Sequence, residues 1–227
     1  MTAAPEPTAP AGPASPSRKG GNGSTGPSGR QFPSSRPRWG AVDLSYIAVF
    51  AALVAAFSLL PGIPLPVGVP ITLQTLAVIL TGMVLGPGRG TAAVGLYLVA
   101  GLAGLPVFSG FRSGIGVLAG PSAGYLLAFP LAALVVGLLT RALMGRIRRA
   151  RFAVLFAAGL LTGFSVVHPL GIAGMMLNAK LSFPAAVAAD MAFWPGDVVK
   201  NLLAAAVAVS VFAAFPRMVP GTRQVRR

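Results

Sequence analysis

Long apolar stretches, separated by short clusters of Pro, Gly and basic residues, make up most of the chain after residue 43. No charged residue occurs in residues 44–88, which is long enough for two helical crossings of a bilayer at about 20 residues each. Four prolines in residues 61–70 predict the break between them, because proline removes an amide donor and clashes with helix. Further crossings are predicted at residues 90–111, 120–140, 152–175 and 197–215. The pattern predicts an all-α integral membrane protein with six transmembrane helices.

The composition changes outside this helical region. Residues 1–38 are rich in Pro, Gly and Ser without apolar periodicity, and they lack the apolar core of roughly 7–15 residues that a signal peptide needs. We expect a disordered cytoplasmic tail at residues 1–38, a transmembrane domain at residues 39–217 and a basic cytoplasmic tail at residues 218–227.

Charged residues are scarce, and most of them are basic. Only 10% of residues are charged, against about 25% in soluble domains, while 55% are hydrophobic. The net charge of +14 lies in tails and short loops, which argues against a folded nucleic-acid-binding face. The chain has no cysteine, which excludes disulfides and thiolate metal sites.

The basic residues also predict the orientation. They precede the first predicted helix and follow the sixth. They also occupy the turn between the second and third helices (Arg89) and the loop between the fourth and fifth helices (residues 141–151). Basic residues in short loops tend to stay in the cytoplasm, so both termini are predicted to be cytoplasmic. Three Pro- and Gly-rich stretches then lie on the outer side, at residues 61–70, 105–120 and 176–196. Irregular backbone at membrane depth is tolerated where it lines a cavity, so we expect a pocket that opens outward.

Asp197 and Lys200 start the last apolar stretch and, at spacing i,i+3, share one helix face. They could simply begin a helix, with Asp197 at the positive end of the dipole and Lys200 snorkelling to the headgroups. A charge placed deeper costs about 2.5–3.5 kcal/mol and usually faces a partner or ligand. The pair would suit one ligand that carries a carboxylate and an N–H-bearing group.

Three other polar or aromatic residues on the outer side have two open interpretations each. Gln74 could bond backbone freed by Pro70 or a ligand, while Tyr125 and Trp194 could anchor the interface or line the cavity. For two further residues the plainer interpretation is favoured. His168, before Pro169, is expected to be packed or hydrogen-bonded, and Arg112 to be solvated, although it could attract an anion.

Small residues repeat along the first helix at Ala48, Ala52 and Ala56. Such a face lets another helix approach closely, either within this chain or from a second membrane protein. The sequence has no phosphate-binding Gly-rich loop and no His/Asp/Glu cluster with metal spacing, so we expect neither an enzyme nor a cofactor. A transporter this small would draw energy from an ion gradient or from partner subunits.

Four separated blocks resemble the BioY family, the biotin-specific S components of energy-coupling factor transporters. They are IPLPVGVPITLQTLAVILTGMVLGPGRG, LYLVAGLAGLPVFSG, GPSAGYLLAF and WPGDVVK, and the likeness covers residues 44–215. The resemblance implies a six-helix S-component fold in the cytoplasmic membrane that captures biotin from outside. It also implies partnership with a transmembrane coupling subunit and paired ATPases, which alone use ATP.

The resemblance assigns roles to individual residues. It puts Asp197 and Lys200 in the biotin pocket, with Asp197 accepting from the ureido N–H groups and Lys200 pairing with a charged or polar end of the ligand. Phe108 and Ser109 match a pocket loop, and Gln74 and Tyr125 are weaker matches. The alanine face would meet the coupling subunit. The alternative function is an ion-gradient-driven carrier for another small carboxylate-bearing solute.

Overall fold

The computed structural model describes residue 2 and residues 39–144 and 151–218, and the described part of the chain is predominantly helical. Its α-helices are α1 (Ala41–Leu59), α2 (Gln74–Leu102), α3 (Ala123–Met144), α4 (Arg151–Thr162), α5 (His168–Asn178), α6 (Phe183–Met191) and α7 (Trp194–Ala214). Except for residues 2 and 218, the predicted tails at 1–38 and 218–227 lie outside the described residues.

Five helical segments within the described residues are long and apolar enough to cross a membrane. They are α1, α2, α3, the run Arg151–Asn178 that joins α4 to α5, and α7. The all-α membrane architecture is therefore confirmed.

The helix α2 reverses direction in its middle. Gly86 has φ 74° and ψ −178°, which interrupts the helix. Gln74 Nε2 lies 2.8 Å from Tyr97 Oη, although 23 residues of straight helix would separate them by about 35 Å. The two halves therefore run antiparallel. Glycine lets them meet, since a Cβ on Gly90 would lie 3.0 Å from the Cα of Gly82.

Helix α1 runs antiparallel to the first half of α2. At one end Arg89 Nη1 lies 3.1 Å from Asp43 Oδ1, and at the other Ser58 Oγ lies 3.4 Å from Gln74 Oε1. Helix α2 is the most buried of the membrane helices and packs most extensively against α3. The core therefore forms around α2, with α1 at the periphery.

Irregular backbone occurs where proline and glycine predict it, between α1 and α2, where Ile63 and Ile71 form an isolated β-bridge. The predicted crossing at residues 90–111 ends early, at Leu102. Gly104 follows with φ 111°, a conformation that favours glycine, and the chain then enters a loop with 3₁₀ turns at Ser109–Phe111 and Ile115–Ala119.

The prediction of an outer loop at residues 176–196 is wrong in its centre. This stretch contains the nine-residue helix α6, which starts after Ser182 with Pro184 in its first turn. Proline is tolerated there because the first helical amides have no intrahelical acceptor. The proline therefore begins a helix here and does not break one.

Candidate functional site

A cavity of about 600 Å³, including its mouth, opens among the loops at residues 60–73 and 103–122 and helices α2, α3 and α7. The polar and charged residues that line it are Thr72, Gln74, Thr75, Ser109, Arg112, Ser122, Asp197 and Lys200. The aromatic residues are Phe108, Tyr125, Phe129 and Phe193.

Asp197 and Lys200 form a buried ion pair in the wall of this cavity. Pro195 stands in the first turn of α7, which places Asp197 at the positive end of the helix dipole. Lys200 Nζ lies 2.8 Å from Asp197 Oδ1, and Thr75 Oγ1 donates to the same oxygen over 3.3 Å. Lys200 is only 6% exposed, so its ammonium does not snorkel to the headgroups.

The ion pair retains hydrogen-bonding capacity toward the cavity. A lysine ammonium has three donors, of which Asp197 takes one. The second carboxylate oxygen of Asp197, Oδ2, lies 3.6 Å from His168 Nε2. Mutual neutralisation reduces the cost of burying both charges, and the remaining donors and lone pairs can bind a ligand that both donates and accepts.

His168 lies behind Asp197 and is not among the residues that line the cavity. Pro169 lacks an amide donor, and the preceding turn widens to the π-helical segment Gly163–Val167, in which His168 N–H donates to Gly163 O. Nδ1 of His168 lies 3.0 Å from Asp190. The predicted hydrogen-bonded kink residue is therefore observed.

Asp190 is a buried acceptor, one of the charged residues that the sequence places on the outer side without a role. It is 0% exposed and accepts from Tyr125 Oη over 2.7 Å and from Trp194 Nε1 over 2.9 Å. With His168 it joins α3, α5, α6 and α7. The signal that could have found it is the rarity of acids, since the chain has four and Asp190 stands in an alanine-rich stretch.

Two aromatic residues at the start of α7 have different positions. Trp194 is half-buried, donates to Asp190 and packs edge-on against Phe164, outside the cavity. Its neighbour Phe193, which the sequence did not single out, is buried and lines the cavity. Tyr125 lines the cavity with its ring while its hydroxyl is bound to Asp190.

Gln74 lines the cavity as part of a closed side-chain network. Its Nε2 donates to Tyr97 Oη, Tyr97 donates to Ser58 Oγ over 3.2 Å, and Ser58 donates back to Gln74 Oε1. The side-chain amide of Gln74 is therefore hydrogen-bonded by other side chains, and not by the backbone groups that Pro70 leaves unpaired. The network fixes one side of the cavity.

The loop after α2 brings Phe108, Ser109 and Arg112 to the cavity. Phe108 is 1% exposed and packs edge-on against Tyr97 at 5.5 Å. Arg112 is exposed, and its Nε donates to Ser109 O over 3.4 Å. The cavity therefore has an exposed cation at its mouth and a buried ion pair in its wall.

Ser122 supplies a further polar group in the cavity wall. Its hydroxyl oxygen is buried, and it has no hydrogen-bond partner within the described residues. A buried hydroxyl without a partner costs free energy, so this oxygen is available to a bound ligand.

Comparisons with known proteins show which family the chain belongs to. The profile of the BioY family matches residues 31–217. The chain is 39% identical to the biotin transporter BioY of Rhizobium etli over an alignment of 177 residues. The alignment covers 77% of this chain and 95% of that protein. It is 41% identical to the biotin transporter BioY of Rhodobacter capsulatus over 181 residues, in an alignment that covers 74% of this chain and 92% of that protein.

A solved structure is also similar, the crystal structure at 2.1 Å of the S-component for biotin from an ECF-type ABC transporter. It matches with a TM-score of 0.71 and 29% identity, over 76% of this chain and 91% of that chain. The apolar helices and these relatives make the protein a multi-pass protein of the bacterial cytoplasmic membrane. The profile match over most of its length shows that the chain belongs to the BioY family.

Proposed function

We propose that this chain is the S component of an ATP-driven energy-coupling factor transporter and captures biotin from the outside for uptake. The observation that carries the proposal is the cavity wall that holds a buried Asp197–Lys200 pair, whose remaining donors and lone pairs are not hydrogen-bonded by any described residue. A ureido group both donates and accepts, which is the chemistry that this pair complements. The relatives named biotin transporter support the same ligand.

The cavity chemistry suggests an orientation for biotin. Asp197 accepts from the ureido N–H groups, and Lys200, whose charge is already compensated, donates to the ureido oxygen. The ligand carboxylate then lies toward the mouth, where Arg112 provides an exposed cation. The sequence left open whether Lys200 pairs with a charged or a polar end of the ligand. In this orientation Lys200 pairs with the polar end.

The remaining walls suit the sulfur-containing ring and the aliphatic chain of biotin. Phe108, Phe129 and Phe193 present aromatic surface, and Ser122 offers its unpartnered hydroxyl. Gln74 and Tyr125 contribute fixed walls because their polar groups are already bound. Trp194 supports the site through Asp190. We propose that no cofactor is needed for capture and that ATP is used only by partner subunits.

For the topology we propose six crossings with both termini in the cytoplasm. The reversal at Gly86 supports two short crossings within α2. The Asp43–Arg89 pair places the start of α1 beside that reversal, at the end of the bundle that carries the basic loops. The cavity lies at the other end of the bundle, where the end of α1 (Ser58) meets the start of α2 (Gln74). This position supports an outward-facing site.

The partners of the proposed transporter are a transmembrane coupling subunit and two ATPases. Ala48, Ala52 and Ala56 are exposed, so none of the three is buried against another helix among the described residues. An exposed small-residue face supports close approach by a helix of the coupling subunit. Transport then requires that subunit, whereas capture does not.

A thermal-shift panel of vitamins on the purified chain tests the ligand class. Biotin alone should raise the unfolding temperature, because a ligand that binds only the folded state stabilises it by mass action. A shift with other small carboxylates and none with biotin would overturn the assignment. Uptake into proteoliposomes containing this chain alone, driven by a pH step, would favour the ion-gradient carrier.

A further inference from the structure

A second cavity of about 830 Å³, including its open side, lies beside the first, between the end of α1 and the loops at residues 60–73 and 103–122. Pro70, Ser109 and Arg112 line both cavities, so the two cavities adjoin along these three residues. In the proposed orientation of biotin, the ligand carboxylate lies toward Arg112. The end of the ligand that points away from the buried ion pair therefore faces the second cavity.

The lining of the second cavity is apolar except where it adjoins the first. Leucine, proline and glycine residues and Phe111 form its walls, and Ser109 and Arg112 are its polar residues. No acidic residue among the described ones lines it. Such walls suit a short aliphatic chain, whose methylene groups leave water when they contact apolar surface. A polar group of the same ligand can then bind the guanidinium at the junction of the two cavities.

Hydrogen bonds within each loop hold these walls in place. Ile63 and Ile71 exchange two backbone hydrogen bonds, of 2.9 Å and 2.8 Å. In the other loop Phe108 N–H donates to Arg112 O over 3.1 Å. Phe111 has φ 58°, a left-handed conformation that is costly for an aromatic residue and persists only where the surrounding structure fixes it. Its side chain lines the second cavity, so the shape of this cavity is fixed before a ligand arrives.

We propose that this chain also captures biotin amides, in which the carboxyl group of biotin is joined to an amine on a short aliphatic chain, as in the amide with the side-chain amine of lysine. The biotin rings then occupy the first cavity, the amide group stands beside Arg112, and the aliphatic chain lies along the second cavity. This inference rests on the proposed biotin function and extends the ligand class of the same site.

Replacing the carboxylate by an amide removes one charge interaction and adds apolar contact. An exposed ion pair such as the one proposed with Arg112 is worth about two- to fivefold in affinity. The amide oxygen still accepts from the guanidinium, which has five donors, of which Ser109 O takes one. The methylene groups of the chain gain contact with Leu60, Leu65 and Phe111. The affinity for such an amide should therefore stay close to that for biotin.

Competition with radiolabelled biotin, on the purified full-length chain at low salt, tests the extended ligand class. The probes are biotin N-butylamide, which adds only an aliphatic chain, and ε-biotinyl-lysine, whose chain ends in a carboxylate and an ammonium. Both should displace the radiolabelled biotin with affinities within about tenfold of that of biotin. A larger loss for either probe would overturn the proposal, whereas no binding of biotin itself would contradict the proposed function.

Leu60→Trp tests where the aliphatic chain lies. Leu60 lines the second cavity and not the first, and it is 44% exposed, so a larger side chain narrows the second cavity alone. Biotin should bind this variant with unchanged affinity, whereas the affinity for biotin N-butylamide should fall at least about fivefold, because the indole occupies the space of the chain.

The matched control is Leu105→Trp, at an exposed leucine that lines neither cavity, and it should bind both ligands as the unsubstituted chain does. Unchanged affinity of Leu60→Trp for the amide would contradict the inference, as would an equal loss of affinity for both ligands.

Discussion

The ring of Phe108 lies directly against Gly101, so closely that a Cβ on this glycine would overlap the ring. Gly101 is in the last turn of α2, and Phe108 is in the loop that lines the cavity. The amide of Gly114 also donates to Gly101 O over 2.8 Å, which ties the far side of the loop to the same residue. The loop therefore depends on a glycine outside the cavity.

Gly101→Ala should displace Phe108 and weaken biotin binding, because the added methyl group occupies the space of the ring. Over-packing of this kind typically costs about 1–3 kcal/mol, so the variant should fold but bind about tenfold or more weakly in titration calorimetry. Gly116→Ala is the matched control, since its Cβ would meet open space in the same loop. Unchanged affinity in Gly101→Ala would show that Phe108 does not shape the site.

A second glycine tests the central packing of α2 against α3. A Cβ on Gly82 would lie 2.6 Å from Ala133 O, so Gly82→Ala should lower the free energy of unfolding by about 1–3 kcal/mol. A Cβ on Gly95, in the second half of α2, would have no atom of the described residues within 4 Å, so Gly95→Ala should be neutral or stabilising by up to about 1 kcal/mol. Thermal unfolding in detergent measures both, and equal stabilities would refute the close approach.

The proposed ligand orientation predicts a charge-selective effect of Arg112→Ala. An exposed ion pair contributes about 0.2–1 kcal/mol, so biotin affinity should fall about two- to fivefold at low salt. Binding of biotin methyl ester, which lacks the negative charge, should be unchanged by the same substitution. If both ligands lose affinity equally, the carboxylate does not lie near Arg112.

The alanine face separates capture from transport. Ala52→Leu adds bulk at an exposed position, so biotin binding by the isolated chain should be unchanged while uptake with the coupling subunit and ATPases falls at least about tenfold. The control is Ala206→Leu, at an exposed alanine of α7. Normal uptake in Ala52→Leu would assign the docking surface elsewhere.

The sequence was sufficient for the helical architecture, the proline-rich break and the position of the ion pair at the start of α7. These features follow from local signals: long apolar runs, proline geometry, and two charges one helical turn apart. The helix α6 was missed because Pro184 has opposite meanings inside a helix and in its first turn, and the context that decides is tertiary.

The partners of the site residues could not be read from the sequence, because they come from distant parts of the chain. Asp190 lies 65 positions from Tyr125, and Thr75 lies 122 positions from Asp197. No local pattern records such pairs. The same limit explains why Trp194 and Phe193, adjacent in sequence, could not be assigned to different sides of the site.

Equilibrium binding of radiolabelled biotin to the purified chain tests the central claim most directly. The unsubstituted chain should bind one biotin per chain, and capture should be lost in both Asp197→Asn and Lys200→Ala, because each removes one half of the buried pair. Asp43→Asn breaks the ion pair with Arg89 at the start of α1, away from the cavity, and should bind biotin normally. Full-strength capture by both Asp197→Asn and Lys200→Ala would contradict the account.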